Sequence, residues 1–119
     1  MRVEGCELSE EILVVLSTFP DVETARRISR QLVEEHCAAC ANVLAPIESI
    51  YWWEEKVEDA NEALVLFKTS GNRYGSLETR LRQLHPYEVP EVIALPIERG
   101  LTDYLRWVCE NCAGKNPGR

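Results

Sequence analysis

The segment HPYEVPE at 85–91 places one imidazole, one phenol and two carboxylates within seven positions. His85 with Glu88 or Glu91 is a reasonable start for a divalent-metal site, and Cu(II) binds most tightly in the divalent series. A complete site would need donors from another strand or subunit. The two prolines favour a stiff, extended turn instead. Composition alone favours the turn over metal or small-ligand binding. Catalysis is least favoured, because the only other histidine, His36, is distant in the sequence.

Two Cys-x-x-Cys pairs, Cys37/Cys40 and Cys109/Cys112, have the spacing of zinc ligands. The pairs are too far apart for a compact zinc ribbon. Both lie where helices are predicted to end, whereas a redox pair would open a helix. We therefore favour packing as small apolar side chains over soft-metal capture and redox chemistry. The odd number of cysteines and the acidic amino terminus favour thiols over a disulfide framework.

Two other positions carry polar chemistry at strands. Ser17 and Thr18 end the first apolar run and are candidate nucleophiles, but no G-x-S-x-G surrounds them, so hydrogen bonding within a loop is favoured. Lys68 lies in an otherwise apolar strand. It is either an outward-facing residue or a buried charge that meets a carboxylate of another subunit.

The chain length, the net charge and the lengths of the apolar runs argue against several classes of protein. The 119 residues fit one domain, and a net charge of −7 with pI near 4.9 opposes binding to nucleic acid or anionic membranes. No apolar run approaches the roughly 20 residues that span a bilayer. The sequence therefore predicts a cytoplasmic protein with a polar lead-in at 1–10, one domain at 11–112 and a flexible tail at 113–119.

Apolar periodicity predicts the elements that position these residues. Strands are expected at 11–17, 40–55, 62–70 and 91–97, with a bend or bulge at Pro46. A polar turn is expected at 55–61 and a break at 71–73. The predicted helices run from an Asp21 cap to near His36, through Leu77, Leu81 and Leu84 to the residue before Pro86, and from a Thr102 cap to Cys112.

The order β-α-β-β-α-β with a C-terminal helix is the split-βαβ, ferredoxin-like arrangement of the α+β class, with an antiparallel sheet. Its helices leave one sheet face to be covered by solvent, ligand or partners. Adjacent strand residues point to opposite faces, so one of Trp52 and Trp53 is expected to lie off the core. We therefore expect self-association through the sheet.

The strings CANVLAPIESIYWWEEKVE, LVLFKT, LHPYEVPEVIALPI and TDYLRWV, in this order over roughly 11–109, resemble the CutA family of divalent-cation tolerance proteins. The resemblance implies a subunit similar to the PII-type regulators and a non-enzymatic homotrimer. It also implies a role in copper or divalent-cation tolerance, as a trimeric binding or signalling module. No obligatory cofactor is implied, and the expected partners are a metal ion or small ligand and further copies of the chain.

The resemblance also assigns residues. His85 matches the family's best metal-ligand candidate, and Glu91 matches the acid after the second proline. The positions implied to line clefts between subunits are Tyr51, Trp52, Trp53, Lys68 and Tyr87. Cys40 matches the family's cysteine before the long strand. Two departures stand out: Ser17 replaces a cysteine of some members, which weakens a thiolate copper site, and Glu55 replaces the glycine of YWWEG.

The same residues oppose two alternative functions and leave a third open. An acylphosphatase-like hydrolase would need an arginine cradle, and the loop from Ser17 to Asp21 has neither arginine nor glycine. RNA binding is opposed by the acidic charge and the missing aromatic strand signature. A purely structural or interaction trimer without direct metal binding stays open as the main alternative.

Overall fold

The computed structural model describes residues 10–113, in which seven elements follow the predicted order. Their bounds are β1 Ile12–Phe19, α1 Val22–Glu34, β2 Cys40–Trp53, β3 Lys56–Ser70, α2 Gly71–Leu84, β4 Ile93–Pro96 and α3 Thr102–Cys112. The α+β, ferredoxin-like prediction is confirmed. The predicted lead-in and tail lie outside the described residues, apart from Glu10 and Ala113. No helix within 10–113 is long and apolar enough to cross a bilayer.

The sheet has the order β2-β3-β1-β4, and each neighbouring pair is antiparallel. Alternate side chains of β1, such as Val15 and Phe19, are fully buried. They pack with Ile28 and Leu32 of α1 and with Leu77 of α2. Both helices therefore cover one face of the sheet. The strand was expected to be buried on both faces, but within one subunit only the helix-covered face is fully buried.

The opposite face of the sheet is also mainly apolar, although Lys68 beside Val14 and Thr18 beside Leu64 share it. Its central strand residues are half-buried, and two residues of β4 are about half exposed: Ile93 at 50% and Leu95 at 55%. Direct cross-strand partners lie on the same face. The register therefore groups these side chains into what we call the open sheet face: Val14, Leu16, Leu64, Leu66, Ile93 and Leu95.

Helix α1 begins where the sequence predicted. The Asp21 carboxylate accepts a hydrogen bond from the Thr24 backbone amide at 2.7 Å, which satisfies a free donor of the first turn. This hydrogen bond lowers the pKa of Asp21. The helix ends at Glu34, and His36 then turns the chain with a positive φ of 61°. A side-chain cap at one end and a left-handed residue at the other thus delimit the helix.

Strands β2 and β3 pair as a long hairpin, and its tip differs from the prediction. Strand β3 begins at Lys56, so the turn is only Glu54-Glu55 and the expected polar turn at 55–61 is wrong. The expectation failed because this part of the ribbon extends away from the core and therefore shows no apolar alternation. The expected irregularity at Pro46 is confirmed, since the register shifts between Leu44 and Ile47.

Both turn residues have a left-handed backbone, with φ of 48° at Glu54 and 68° at Glu55. Two positive φ values are typical of the type I′ turn that matches the twist of a hairpin. Replacing Glu55 with glycine is expected to raise the free energy of unfolding by about 1 kcal/mol, because glycine lacks the Cβ atom that makes this region costly.

Urea unfolding followed by circular dichroism measures this change. Glu55→Gln is the matched control, because it removes the same charge and keeps the Cβ atom. A glycine variant no more stable than the glutamine variant would contradict backbone strain at the turn.

Three other boundaries differ from the prediction. Helix α2 begins at Gly71 directly after β3, so the expected break at 71–73 is wrong. The Gly71 amide donates to the Glu11 carbonyl at 2.7 Å, and a Cβ atom at Gly71 would lie 3.1 Å from Glu10 Oε2. Thr102 is the first residue of α3 and not its cap, since Leu101 occupies that position. The fourth strand is shorter than expected and spans only Ile93–Pro96.

Candidate functional site

His85 is held in place by the end of α2. Its backbone amide still donates to the Leu81 carbonyl at 2.9 Å, but its own conformation is extended, with φ of −74° and ψ of 136°. Pro86 enforces this change, because the residue before a proline avoids the helical region. The predicted helix end is therefore confirmed. The imidazole turns inward and is only 7% exposed.

Both ring nitrogens of His85 have partners within the subunit. Nε2 lies 2.8 Å from the Thr18 carbonyl oxygen and therefore donates to it. Nδ1 accepts from the Tyr87 backbone amide at 3.0 Å. This pair of contacts selects the neutral tautomer protonated at Nε2. The ring also stacks on Phe19, with centroids 4.6 Å apart. Burial lowers the pKa of His85, so the imidazole is uncharged at neutral pH.

Tyr87 fixes the rest of the loop to the sheet. Its hydroxyl donates to Glu62 Oε2 at 2.6 Å, and its ring lies 4.9 Å from the His85 ring, centroid to centroid. Burial and the Glu62 carboxylate raise the pKa of Tyr87. The tyrosine is therefore a neutral donor, and the Glu62 carboxylate is its acceptor. The loop between α2 and β4 is a clamped turn, as the prolines indicated.

The remaining acids of the loop do not complete a metal site within one subunit. Glu88 and Glu91 are exposed. Across 10–113 there is no group of three or more histidine, cysteine, aspartate or glutamate side chains placed to hold a metal ion. His85 also has no free lone pair, because Tyr87 occupies Nδ1. The assignment of His85 and Glu91 as metal ligands stays a prediction that depends on donors from outside the subunit.

The aromatic residues of the hairpin are exposed. Trp52 is 74%, Trp53 62% and Tyr51 41% exposed. Only one of the two tryptophans was expected to lie off the core, but both do, because the hairpin tip extends beyond the layer that the helices cover. Large exposed aromatic side chains are enriched where proteins bind partners.

Lys68 lies half-buried at the other end of β3. Its Nζ donates to Asn42 Oδ1 on β2. Within the subunit, the partner of Lys68 is therefore an amide oxygen and not a carboxylate. A carboxylate partner, as in the second interpretation, would have to come from another subunit. Strand pairing places Trp52 beside Val57, and the Tyr87 partner Glu62 follows five residues later. Positions five residues apart along a strand are separated by about 17 Å. One subunit therefore keeps Trp52 away from Tyr87, whereas Tyr51 is near enough to Tyr87 to contribute to its raised pKa.

Ser17 is fully buried and points into the helix-covered core. Its hydroxyl has no hydrogen-bond partner among the described residues. The expected role of Ser17 in satisfying the loop is therefore wrong: the strand runs on to Phe19, which places Ser17 inside the sheet, opposite Val65. A hydroxyl so deeply buried is also inaccessible to a substrate.

The cysteines mainly pack. Cys37 belongs to the main core, whereas Cys109 and Cys112 pack with Val108 of α3. Cys37, Cys40 and Cys112 are free thiols, but Cys109 is disulfide-bonded. The expectation of unpaired thiols thus holds for three of the described cysteines and is wrong for Cys109. Burial raises the pKa of both Cys37 and Cys112, so these thiols are uncharged at neutral pH.

Glu62 is the site residue that sequence reasoning missed. It lies at the point where the polar outer part of β3 meets its buried part, with Ala63 and Val65 fully buried just after it. A carboxylate next to a buried run signals a partner, since half-buried charges are usually hydrogen-bonded. That partner, Tyr87, is 25 residues away in sequence.

Comparison with known proteins agrees with this geometry. The family model described as "CutA1 divalent ion tolerance protein" matches residues 13–111. The divalent-cation tolerance protein CutA of Thermus thermophilus is 47% identical over 98 residues, which is 82% of this chain and 95% of the relative.

Two solved structures share the fold. Rice CutA1 has a TM-score of 0.85 at 38% identity, covering 88% of this chain and 96% of the other. The protein from Archaeoglobus fulgidus, described as a periplasmic divalent cation tolerance protein, has a TM-score of 0.82 at 37% identity, covering 85% and 98%. The chain therefore belongs to the CutA family of divalent-cation tolerance proteins.

Proposed function

We propose that the chain forms a homotrimer and acts without catalysis in divalent-cation tolerance. The observation that carries this proposal is the open sheet face, which is apolar and only partly buried within the subunit; the hairpin adds the exposed side chains of Ile50, Trp52 and Val57. Contiguous apolar surface of this kind is uncommon on a monomer and marks an interaction site. The family resemblance implies that the partner is a further copy of the same chain. It also implies that the assembly contains three copies.

Size-exclusion chromatography with light scattering tests the assembly. The wild type is expected to have three times the 13.6 kDa mass of the subunit. Leu95→Glu places a charge on the open sheet face and is expected to give single subunits, because an unpaired charge in an apolar interface is costly. Thr102→Glu adds the same charge on α3 and should keep the trimer mass. A wild type that elutes as a single subunit refutes the assembly.

The trimer would bring together residues that one subunit keeps apart. Clefts between subunits would collect the hairpin aromatics, Lys68 and Tyr87, and would take up a divalent cation or a small ligand. His85 and Glu91 are the proposed metal ligands, and a signalling role would follow from ligand-dependent changes in the clefts. The short Tyr87–Glu62 hydrogen bond supports a preorganised wall for such a cleft.

Calorimetric titration with Cu(II) tests the metal ligands. Glu91→Gln is expected to weaken copper binding about tenfold, because it removes an anionic oxygen ligand. Glu88→Gln is the matched control, since this exposed carboxylate lies in the same loop. Both variants avoid the buried His85, so a change in affinity is not a change in folding. Equal affinities for the wild type and both variants would remove Glu91 from the site.

One observation favours the alternative of a structural or interaction trimer without direct metal binding. Both nitrogens of His85 are already used, and copper could coordinate Nδ1 only by displacing the Tyr87 amide. In that case the loop serves packing alone, and purified protein grown with added copper would contain no stoichiometric metal.

Two further parts of the proposal rest on the buried groups. The absence of catalysis is supported by Ser17, whose hydroxyl is sealed in the core, and by the fully engaged His85. The cytoplasmic location stays a prediction. The free thiols favour a reducing compartment, whereas the disulfide at Cys109 and the periplasmic archaeal relative favour an oxidising one.

A further inference from the structure

A groove runs between the end of α1 and the outward side of α2, on the helical layer and away from the open sheet face. Its volume is about 600 Å³, and it is open to solvent. Two arginines, Arg73 and Arg80, line it together with the hydroxyl residues Ser76 and Thr79. An arginine pair is notable here, since the whole chain carries a net charge of −7.

The Nε atom of the Arg73 guanidinium is held firmly, whereas its two terminal nitrogens, here called the fork, are held loosely. Its Nε donates to the His36 carbonyl at 3.1 Å, which fixes the plane of the guanidinium. The two terminal nitrogens make only long contacts, each of 3.4 Å, to Ser76 Oγ and to the Glu35 carbonyl. Within 10–113 no carboxylate forms an ion pair with Arg73. The fork therefore holds hydrogen-bonding capacity that an anion can use.

The acid in the groove is already neutralised. The Glu35 carboxylate accepts from Arg80 Nε at 2.9 Å and from Arg80 Nη2 at 3.2 Å, and these contacts lower the pKa of Glu35. Cys37 lines the groove as an uncharged thiol, because burial raises its pKa. The lining thus has one uncompensated positive charge, and that charge is on Arg73.

We propose that this groove binds the phosphate group of a small phosphorylated molecule. A phosphate offers enough acceptor oxygens to take the Arg73 fork and the hydroxyls of Ser76 and Thr79 together, which a carboxylate does less completely. The groove is larger than a free phosphate needs and falls within the roughly 300–1,000 Å³ range of small-ligand pockets. The organic part of the ligand would lie along α2 toward Gln83.

Titration of the full chain with glycerol 3-phosphate at low ionic strength tests this proposal. Amide chemical shifts from nuclear magnetic resonance report the site, and calorimetry reports the affinity. We expect saturable binding with Kd on the order of 1 mM, because an open groove desolvates the ligand only partly. The amide signals of Ser76 and Thr79 should move, and glycerol, which lacks the phosphate, should leave them unchanged.

Charge variants with opposite expected signs sharpen the test. Thr79→Glu places a carboxylate in the groove at an exposed position, and binding should weaken about tenfold through like-charge repulsion. Glu35→Gln releases Arg80, and binding should tighten about threefold. Thr102→Glu is the control for net charge and should bind as the wild type does.

Two results would overturn the proposal. One is no saturable shift up to about 10 mM ligand, which is tenfold above the expected Kd. The other is equal binding by the wild type, Thr79→Glu and Thr102→Glu, which would mean that only the overall charge matters. Neither result bears on the subunit clefts, because the groove lies on the helical layer.

Discussion

His85→Ala is expected to lower the free energy of unfolding by about 3 kcal/mol, as measured by urea denaturation at pH 7.5. The substitution removes a ring that stacks on Phe19 at 4.6 Å and leaves a cavity in its place. It also leaves the Thr18 carbonyl and the Tyr87 amide without their partner, and an unpaired buried polar group costs about 1–3 kcal/mol.

Val89→Ala is the control for this experiment. Val89 lies in the same loop but is 86% exposed, so its truncation should change the stability by less than about 0.5 kcal/mol. A His85 variant as stable as the Val89 variant would mean that the loop is not clamped to the sheet as the hydrogen bonds indicate.

The difference in stability between the wild type and His85→Ala should also depend on pH. Burial lowers the folded-state pKa of His85 below the ordinary value of 6.5, so the unfolded chain binds its proton first as the pH falls. The contribution of neutral His85 is thus complete above pH 6.5 and is lost as the pH drops from 6.5 toward the folded-state pKa. The difference in stability between the wild type and His85→Ala should therefore shrink below pH 6.5. His36 is present in both proteins and cancels. A difference that stays constant between pH 7.5 and 5 would contradict the assignment.

The features predicted well from the sequence are those that depend on neighbouring residues. Asp21 caps α1 because its carboxylate reaches an amide three residues away, and Pro86 ends α2 because it restricts the residue before it. Such rules act within one turn of chain. The order of the elements followed from apolar periodicity, which is also a pattern among near neighbours in the chain.

The hairpin tip shows where such rules fail. Residues 55–61 are polar and suggested a turn, yet Lys56 already pairs with Trp53 across the ribbon. Alternation between apolar and polar residues marks a strand only where one face is buried. A ribbon that extends beyond the core has no buried face, so its composition resembles that of a loop.

The environment of His85 could not be predicted for a different reason. Its Nε2 partner, Thr18, is 67 residues away, and its other partner is a backbone amide, which every residue but proline has. Composition identified the imidazole and the acids but not which lone pairs were already used. The ligand-binding capacity of a histidine is set by its second nitrogen as much as by its exposure.

Ser17→Ala is expected to raise the free energy of unfolding by about 2 kcal/mol, measured in the same urea experiment. Ser17 is fully buried, and within 10–113 its hydroxyl has no hydrogen-bond partner. The folded state therefore carries the full desolvation cost of that oxygen, about 1–3 kcal/mol, and alanine removes the cost while leaving only a small void.

Thr69→Val is the matched contrast for Ser17→Ala, because Thr69 is also a fully buried hydroxyl residue of the sheet. Its Oγ1 donates to the Cys37 carbonyl at 2.7 Å, so removing this hydroxyl should destabilise the fold by about 1–2 kcal/mol. The two substitutions each delete one buried oxygen, and they should shift the unfolding midpoint in opposite directions. If Ser17→Ala also destabilises the protein, then the Ser17 hydroxyl has a partner in solution, and the serine at this position contributes to folding.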